Sequence, residues 1–139
     1  MNRASELRLR CPAQSRYVAP IRHALAAFLQ ALQYNREYLE DVTTAAGEAL
    51  ANAVEHAYAR GAKRSERYLE LRATILRNGR LAVAVSDDGS FLQRKPLPGR
   101  GFGLRIIRAV ARRLTIDTVE GTQVRMTFNG ARSLRSKKR

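Results

Sequence analysis

The stretch YLELRATILRNGRLAVAVSDDG, residues 68–89, contains two apolar runs, Tyr68–Leu76 and Leu81–Ser86, joined by Arg77-Asn78-Gly79-Arg80. Asn-Gly between two apolar runs is the strongest short hairpin signal, because these residues take up positive φ at little cost. An antiparallel strand pair is therefore predicted, its second member running into Asp87-Asp88-Gly89. Upstream, Leu7 and Leu9 alternate with Arg8 and Arg10, which predicts a short strand ending before Pro12. A first helix is expected to start between Ser15 and Ala19 and run to about Tyr34. Pro20 suits its first turn, and Ile21, Leu25, Phe28, Leu29 and Leu32 share one face. A second helix is expected over about Glu37–Ala59, stopping at Gly61, with Val42, Ala46, Ala49, Ala53 and Ala57 as its apolar stripe.

Downstream of the hairpin, Asp87–Arg100 is rich in Gly, Pro and charge and reads as a loop. A third helix should begin near Gly101 and bury Leu104, Ile107, Val110, Ala111 and Leu114, with Arg105, Arg108 and Arg112 facing out. Two strands, about Thr115–Val119 and Gln123–Phe128, flank a Glu120-Gly121 turn. The order β-α-α-β-β-α-β-β predicts a two-layer α/β sandwich. Its mixed, mostly antiparallel sheet is covered on one face by three helices. Residues 1–130 form the expected domain, and 131–139 a basic tail.

A chain of 139 residues, 45% of them hydrophobic, suits one domain with one core. No apolar run approaches the ~20 residues that span a bilayer, and no signal-peptide pattern opens the chain, so a cytoplasmic location is expected. Cys11 is the single cysteine, which excludes an internal disulfide and leaves no zinc-ligand spacing. The formal charge is +14, and Arg132, Arg135, Lys137, Lys138 and Arg139 supply five of those charges. Such a surface suits nucleic acid, an anionic membrane or an acidic protein, but charge alone names no partner. No aromatic residue alternates with the tail's cations, so no stacking platform for single strands is indicated.

Three segments carry chemistry. Glu48, Asn52 and His56 recur every fourth residue, and Glu48 and Asn52 fall beside the apolar stripe rather than opposite it. A carboxylate and a carboxamide at that rim suit a hydrated Mg²⁺ and the orientation of a nucleophile. Asp87, at a strand end, suits an exocyclic amine, and Gly89 lets a flat ring approach the backbone. Gly101 and Gly103 open a helix whose free amides favour phosphate, and Arg100 adds charge there. Singly, each is an ordinary feature: a polar helix rim, an Asp-Gly turn, a glycine-rich helix start.

In their order, Glu-x-x-x-Asn-Ala-x-x-His-Ala-Tyr, Asp-x-Gly, Arg-Gly-x-Gly-Leu and a Gly-Thr before the last strand resemble the GHKL superfamily of Bergerat-fold ATPases and kinases. More narrowly, the chain resembles the RsbW-like anti-sigma factor serine/threonine kinases, from about Leu7 to Phe128. The resemblance implies ATP and Mg²⁺ as cofactors, with Asn52 ligating the metal and Glu48 as general base. Asp87 would read the adenine amine, Gly89 line the base pocket, and Thr122 support the adenine end. Arg100, Gly101, Gly103 and Leu104 would form the phosphate-binding loop. It implies phosphorylation of a STAS-type anti-sigma-factor antagonist, sequestration of a sigma factor, and a homodimer, with Arg22 near the partner contact.

Three departures from the family pattern stand out. Ser90-Phe91 follows Gly89 where a second glycine is usual, the loop before Arg100 is short, and Arg112-Arg113 replaces frequent acids. The alternative is a non-catalytic, ATP-dependent protein-binding module. A detached sensor histidine-kinase domain is weaker, because no helical hairpin with an accepting histidine precedes the motifs. Direct nucleic-acid binding rests on charge alone and is the weakest reading.

Overall fold

In the computed structural model, residues 5–59, 67–87, 101–117 and 122–130 are described, 56–59 and 101–103 by backbone only. The strands are β1 (Glu6–Pro12), β2 (Tyr68–Ile75), β3 (Leu81–Asp87), β4 (Arg113–Asp117) and β5 (Thr122–Phe128). The helices are α1 (Val18–Ala31), entered through a 3-10 turn at Ser15–Tyr17, α2 (Arg36–Ala59) and α3 (Gly101–Val110). They follow the predicted order. The strands form one sheet in the order β1-β2-β3-β5-β4.

All four pairings are antiparallel, where a mixed sheet was expected. β3 and β4, which flank the α3 crossover, do run parallel to each other. Yet β5 folds back between them and takes both ladders, so no parallel pair forms. The alternation along each strand then sorts the two faces. Leu69, Leu71, Ala73, Leu81, Val83, Val85, Met126 and Phe128 point to the helices and are buried. Opposite them, Arg8 pairs with Glu70 and Arg72 with Glu6 on an exposed polar face. Such exposed pairs contribute little to stability.

The β2–β3 connection is a three-residue loop rather than a two-residue primed turn. Gly79 N–H donates to Leu76 O (2.9 Å), Leu76 N–H donates to Arg80 O (2.8 Å), and Gly79 alone takes positive φ, +88°. This is the bulged hairpin that places glycine in the left-handed position. α1 ends at Ala31, short of Tyr34, in a Schellman motif. Tyr34 N–H donates to Leu29 O (3.2 Å) and Gln33 N–H to Gln30 O (2.9 Å), with Gln33 at φ 67°. Asn35 then caps α2, its Oδ1 accepting from the Tyr38 amide at 2.9 Å. Tyr38 stacks on Tyr34 and donates its hydroxyl to Asn129 O, tying the start of α2 to the end of β5. Burial, and next the neighbouring Tyr34, hold the Tyr38 phenol well above its ordinary range.

The helices meet the sheet through Ile21, Leu25 and Leu29 of α1, through α2, and through Ile107 of α3. Leu32, expected on the α1 face, lies past the helix end and is exposed. Leu114 belongs to β4, not α3, because β4 begins at Arg113 and pairs Leu114 with Met126. On α2 the buried set is Val42, Ala45, Ala46, Ala49, Leu50, Ala53 and Val54, wider than the predicted alanine stripe. α2 packs against α1, α3 and the sheet together, so it needs more than one apolar face. The side chain of Ala57, Gly61, the Glu120-Gly121 turn, Val119 and the tail at 131–139 fall outside what is described. Leu50 is fully buried. Leu50→Ala should therefore cost about 2–5 kcal/mol, read from the midpoint of urea unfolding at unchanged m-value.

Candidate functional site

α2 sits centrally, packed on α3 and against β3 and β5, and this brings the predicted segments to neighbouring elements. Glu48 and Asn52 are both half-buried, one turn apart on α2. Among the described residues neither makes a hydrogen bond or an ion pair, so their polar ends are available to a ligand. They border the buried strip formed by Ala45, Ala49 and Ala53, as the spacing predicted.

Asp87 is the last residue of β3 and lies half-buried. The antiparallel register sets it directly opposite Thr122, the first residue of β5. Both side chains leave the sheet on the helix-bearing face, in the row that also contains Leu69. The Thr122 hydroxyl oxygen is buried and has no hydrogen-bond partner among the described residues. A buried hydroxyl without a partner is costly unless something else satisfies it. It sits one strand from a carboxylate that accepts hydrogen bonds, so the pair suits a flat heterocycle bearing an amine.

Gly101 and Gly103 occupy the first turn of α3, where free amides and the helix dipole favour an anion. Leu104 follows and packs against the core, anchoring that turn. Gly89, Arg100 and the side chain of His56 lie outside the described residues, as do Asp88, Ser90 and Phe91. One feature of this region was missed from sequence: Gly47, in the middle of α2, is buried beneath Arg22. The available signal was a glycine interrupting an alanine-rich helical run.

A family model described as a histidine kinase-like ATPase domain matches residues 11–128. The chain belongs to this family. Within it, the chain is 30% identical to the serine-protein kinase RsbW of Bacillus subtilis (strain 168), covering 94% of this chain and 91% of that one. It is 31% identical to the serine-protein kinase RsbW of Bacillus thuringiensis (strain Al Hakam), covering 91% and 86%. The histidine kinase-like ATPase fold also recurs in solved structures. The RsbU and RsbW domains of a Mycobacterium tuberculosis protein superpose with a TM-score of 0.72 at 22% identity, over 91% of this chain and 32% of that one. The SiaB–SiaC complex from Pseudomonas aeruginosa gives 0.67 at 16%, over 88% of each chain. At those identities the likeness concerns the fold alone. No helix among the described residues is long and apolar enough to cross a membrane.

Proposed function

We infer that this RsbW-like protein is an ATP-dependent serine/threonine protein kinase acting by partner switching. It phosphorylates a STAS-type anti-sigma-factor antagonist and otherwise sequesters a sigma factor. The observation that carries this reading is the Asp87–Thr122 pair, an acceptor beside a buried hydroxyl without a partner among the described residues, on the elements that adjoin the Glu48–Asn52 helix. The named relatives, serine-protein kinases over nearly their whole length, support it. A cytoplasmic location and a homodimer go with the same reading.

Each residue then has a task. Asp87 accepts a hydrogen bond from the adenine amine, Thr122 satisfies its hydroxyl against the base, and Gly89 leaves room for the ring. Gly101 and Gly103 offer backbone amides to the phosphates, Leu104 fixes their turn, and Arg100 adds positive charge. Asn52 offers its carboxamide oxygen, the hard ligand that Mg²⁺ requires. Bound Mg²⁺ supplies neutralisation of phosphate charge. Glu48 orients the acceptor hydroxyl and takes its proton as the oxygen bonds to the γ-phosphorus, while the bond from that phosphorus to the bridging oxygen breaks and ADP leaves. Phosphoryl transfer needs mainly positioning and charge neutralisation, so one small domain suffices.

Base selection gives the most direct test of the pocket. Wild type should bind ATP in preference to GTP, and Asp87→Asn should weaken ATP about 10- to 100-fold, the effect of losing a charged acceptor. Equal affinity of wild type for the two nucleotides by calorimetry would remove Asp87 from the base pocket. Transfer of labelled phosphate to the cognate STAS protein tests the kinase reading. Tight ATP binding with no transfer by wild type would establish the non-catalytic binding module instead.

A further inference from the structure

We propose that the end of the sheet remote from Asp87 binds duplex DNA through its backbone phosphates, without reading base sequence. This activity does not depend on the kinase reading above. Its basis is where the fold gathers arginines that are distant in sequence. Arg77 and Arg80 lie in the β2–β3 loop, and Arg112 and Arg113 where α3 passes into β4. β5 joins the two places. It pairs Phe128 with Leu81 and Thr127 with Arg113, and the Arg112 N–H donates to Thr127 O at 2.7 Å. Just past β5, Gly130 crosses the loop closely: a Cβ there would lie 2.6 Å from Gly79 O and 3.3 Å from Arg80 N. The Tyr38 hydroxyl, donating to Asn129 O, holds the same point from the helix side. The basic tail therefore starts between the two arginine pairs, and Arg132 follows within about 7 Å of Gly130.

Two features separate this surface from an ordinary solvated one. First, its cations lack the partners that others have. Arg8 meets Glu70, Arg72 meets Glu6 and Arg36 meets Glu40. The side chains of Arg77, Arg80, Arg112 and Arg113 make no hydrogen bond or ion pair among the described residues. Second, the charge is uninterrupted. Residues 76–81, 111–113 and 129–139 contain nine cations and no acid. Like charges gathered in this way repel one another, and a polyanion relieves that repulsion.

The chemistry of the surface selects among anions. A polybasic segment holds a membrane firmly only with a second signal, a lipid chain or an apolar face, and protein interfaces close around an apolar centre. The exposed large apolar side chains, Leu32, Tyr68, Ile106 and Ile116, all lie outside these three segments. RNA is recognised chiefly at single-stranded bases stacked on aromatic rings, and the three segments contain no aromatic residue. Duplex DNA needs none of these, because phosphate contacts alone supply sequence-independent binding. Seven of the nine cations are arginine, whose planar fork meets a phosphate with two hydrogen bonds. β3 runs from Leu81 to Asp87, so this surface lies about 20 Å from the candidate base pocket and leaves it open.

Fluorescence anisotropy with two labelled DNA duplexes of about 24 base pairs, unrelated in sequence, tests this over a range of salt. Wild type should bind both alike, with a dissociation constant of about 10⁻⁶–10⁻⁴ M near physiological salt. Arg80→Gln with Arg113→Gln should lower the slope of log affinity against log salt by about two, and weaken binding about 10- to 30-fold. Urea unfolding should show that pair of changes as stable as wild type, since both side chains lack internal partners. Should it misfold, Arg77→Gln in the exposed loop should still lower the slope by about one. Arg16→Gln with Arg67→Gln removes the same charge at the opposite end, where Ala13 N–H donates to Arg67 O, and should leave the slope near wild type. No duplex binding by wild type, unequal binding of the two duplexes, or equal losses in the two double variants would overturn the proposal. So would tighter binding, at the same salt, to phosphatidylserine-containing vesicles, to polyglutamate or to an RNA stem-loop.

Discussion

Glu48→Gln should bind ATP like wild type and transfer phosphate about 10²–10⁴-fold more slowly. General-base assistance contributes about that factor, and a neutral amide has the carboxylate's shape without its ability to take a proton. The variant is well placed to isolate this effect. Glu48 is half-buried and has no hydrogen-bond or ion-pair partner among the described residues, so the exchange breaks no internal contact. Single-turnover transfer of labelled phosphate to the STAS acceptor measures the rate, and calorimetry measures nucleotide affinity separately. Undiminished transfer would sink the assignment of Glu48. A loss of ATP binding equal to the loss of transfer would instead make Glu48 part of the nucleotide site.

Asn52→Ala should abolish most of the dependence of ATP binding on Mg²⁺. Removal of residues that merely orient metal ligands costs 10- to 100-fold in affinity, and loss of a direct ligand should cost at least about 100-fold. The informative quantity is the ratio of ATP affinities with and without the metal, in wild type and in the variant. That ratio should collapse towards one, while affinity without Mg²⁺ stays close to wild type. A variant that keeps the wild-type ratio would move the metal site elsewhere. Because Asn52 lies on the exposed side of Ala49 and Ala53, alanine there should leave folding unchanged, and urea unfolding checks this.

Much of the architecture is legible along the chain because it is written in local periods. Alternation at Leu7–Arg10, the Asn78-Gly79 pair, the i, i+4 faces of α1 and α2 and the glycines at Gly101 and Gly103 are short-range signals. They yield the eight elements in order, and with them the linked motifs that mark a Bergerat-type site. Glu48 and Asn52 can be placed on one rim of α2 by counting residues, since a helix has a fixed angle per residue.

Tertiary structure decided the remainder, where the relevant neighbour is distant in sequence. No local period says that β5 inserts between β3 and β4, yet that insertion makes the sheet wholly antiparallel and takes Leu114 into β4. The same register sets Asp87 against Thr122, whose buried hydroxyl has no partner among the described residues. Leu50 and Val54 are buried because α2 packs against two other helices as well as the sheet, which its own pattern leaves ambiguous. Gly47 is the sharpest case. In sequence it is a helix-weakening residue, and only the packing of α1 across α2 reveals that Arg22 occupies the space its side chain would have filled. Local periodicity determines which elements form and which residues share a face, whereas strand order and contacts between elements depend on which surfaces bury the most apolar area together.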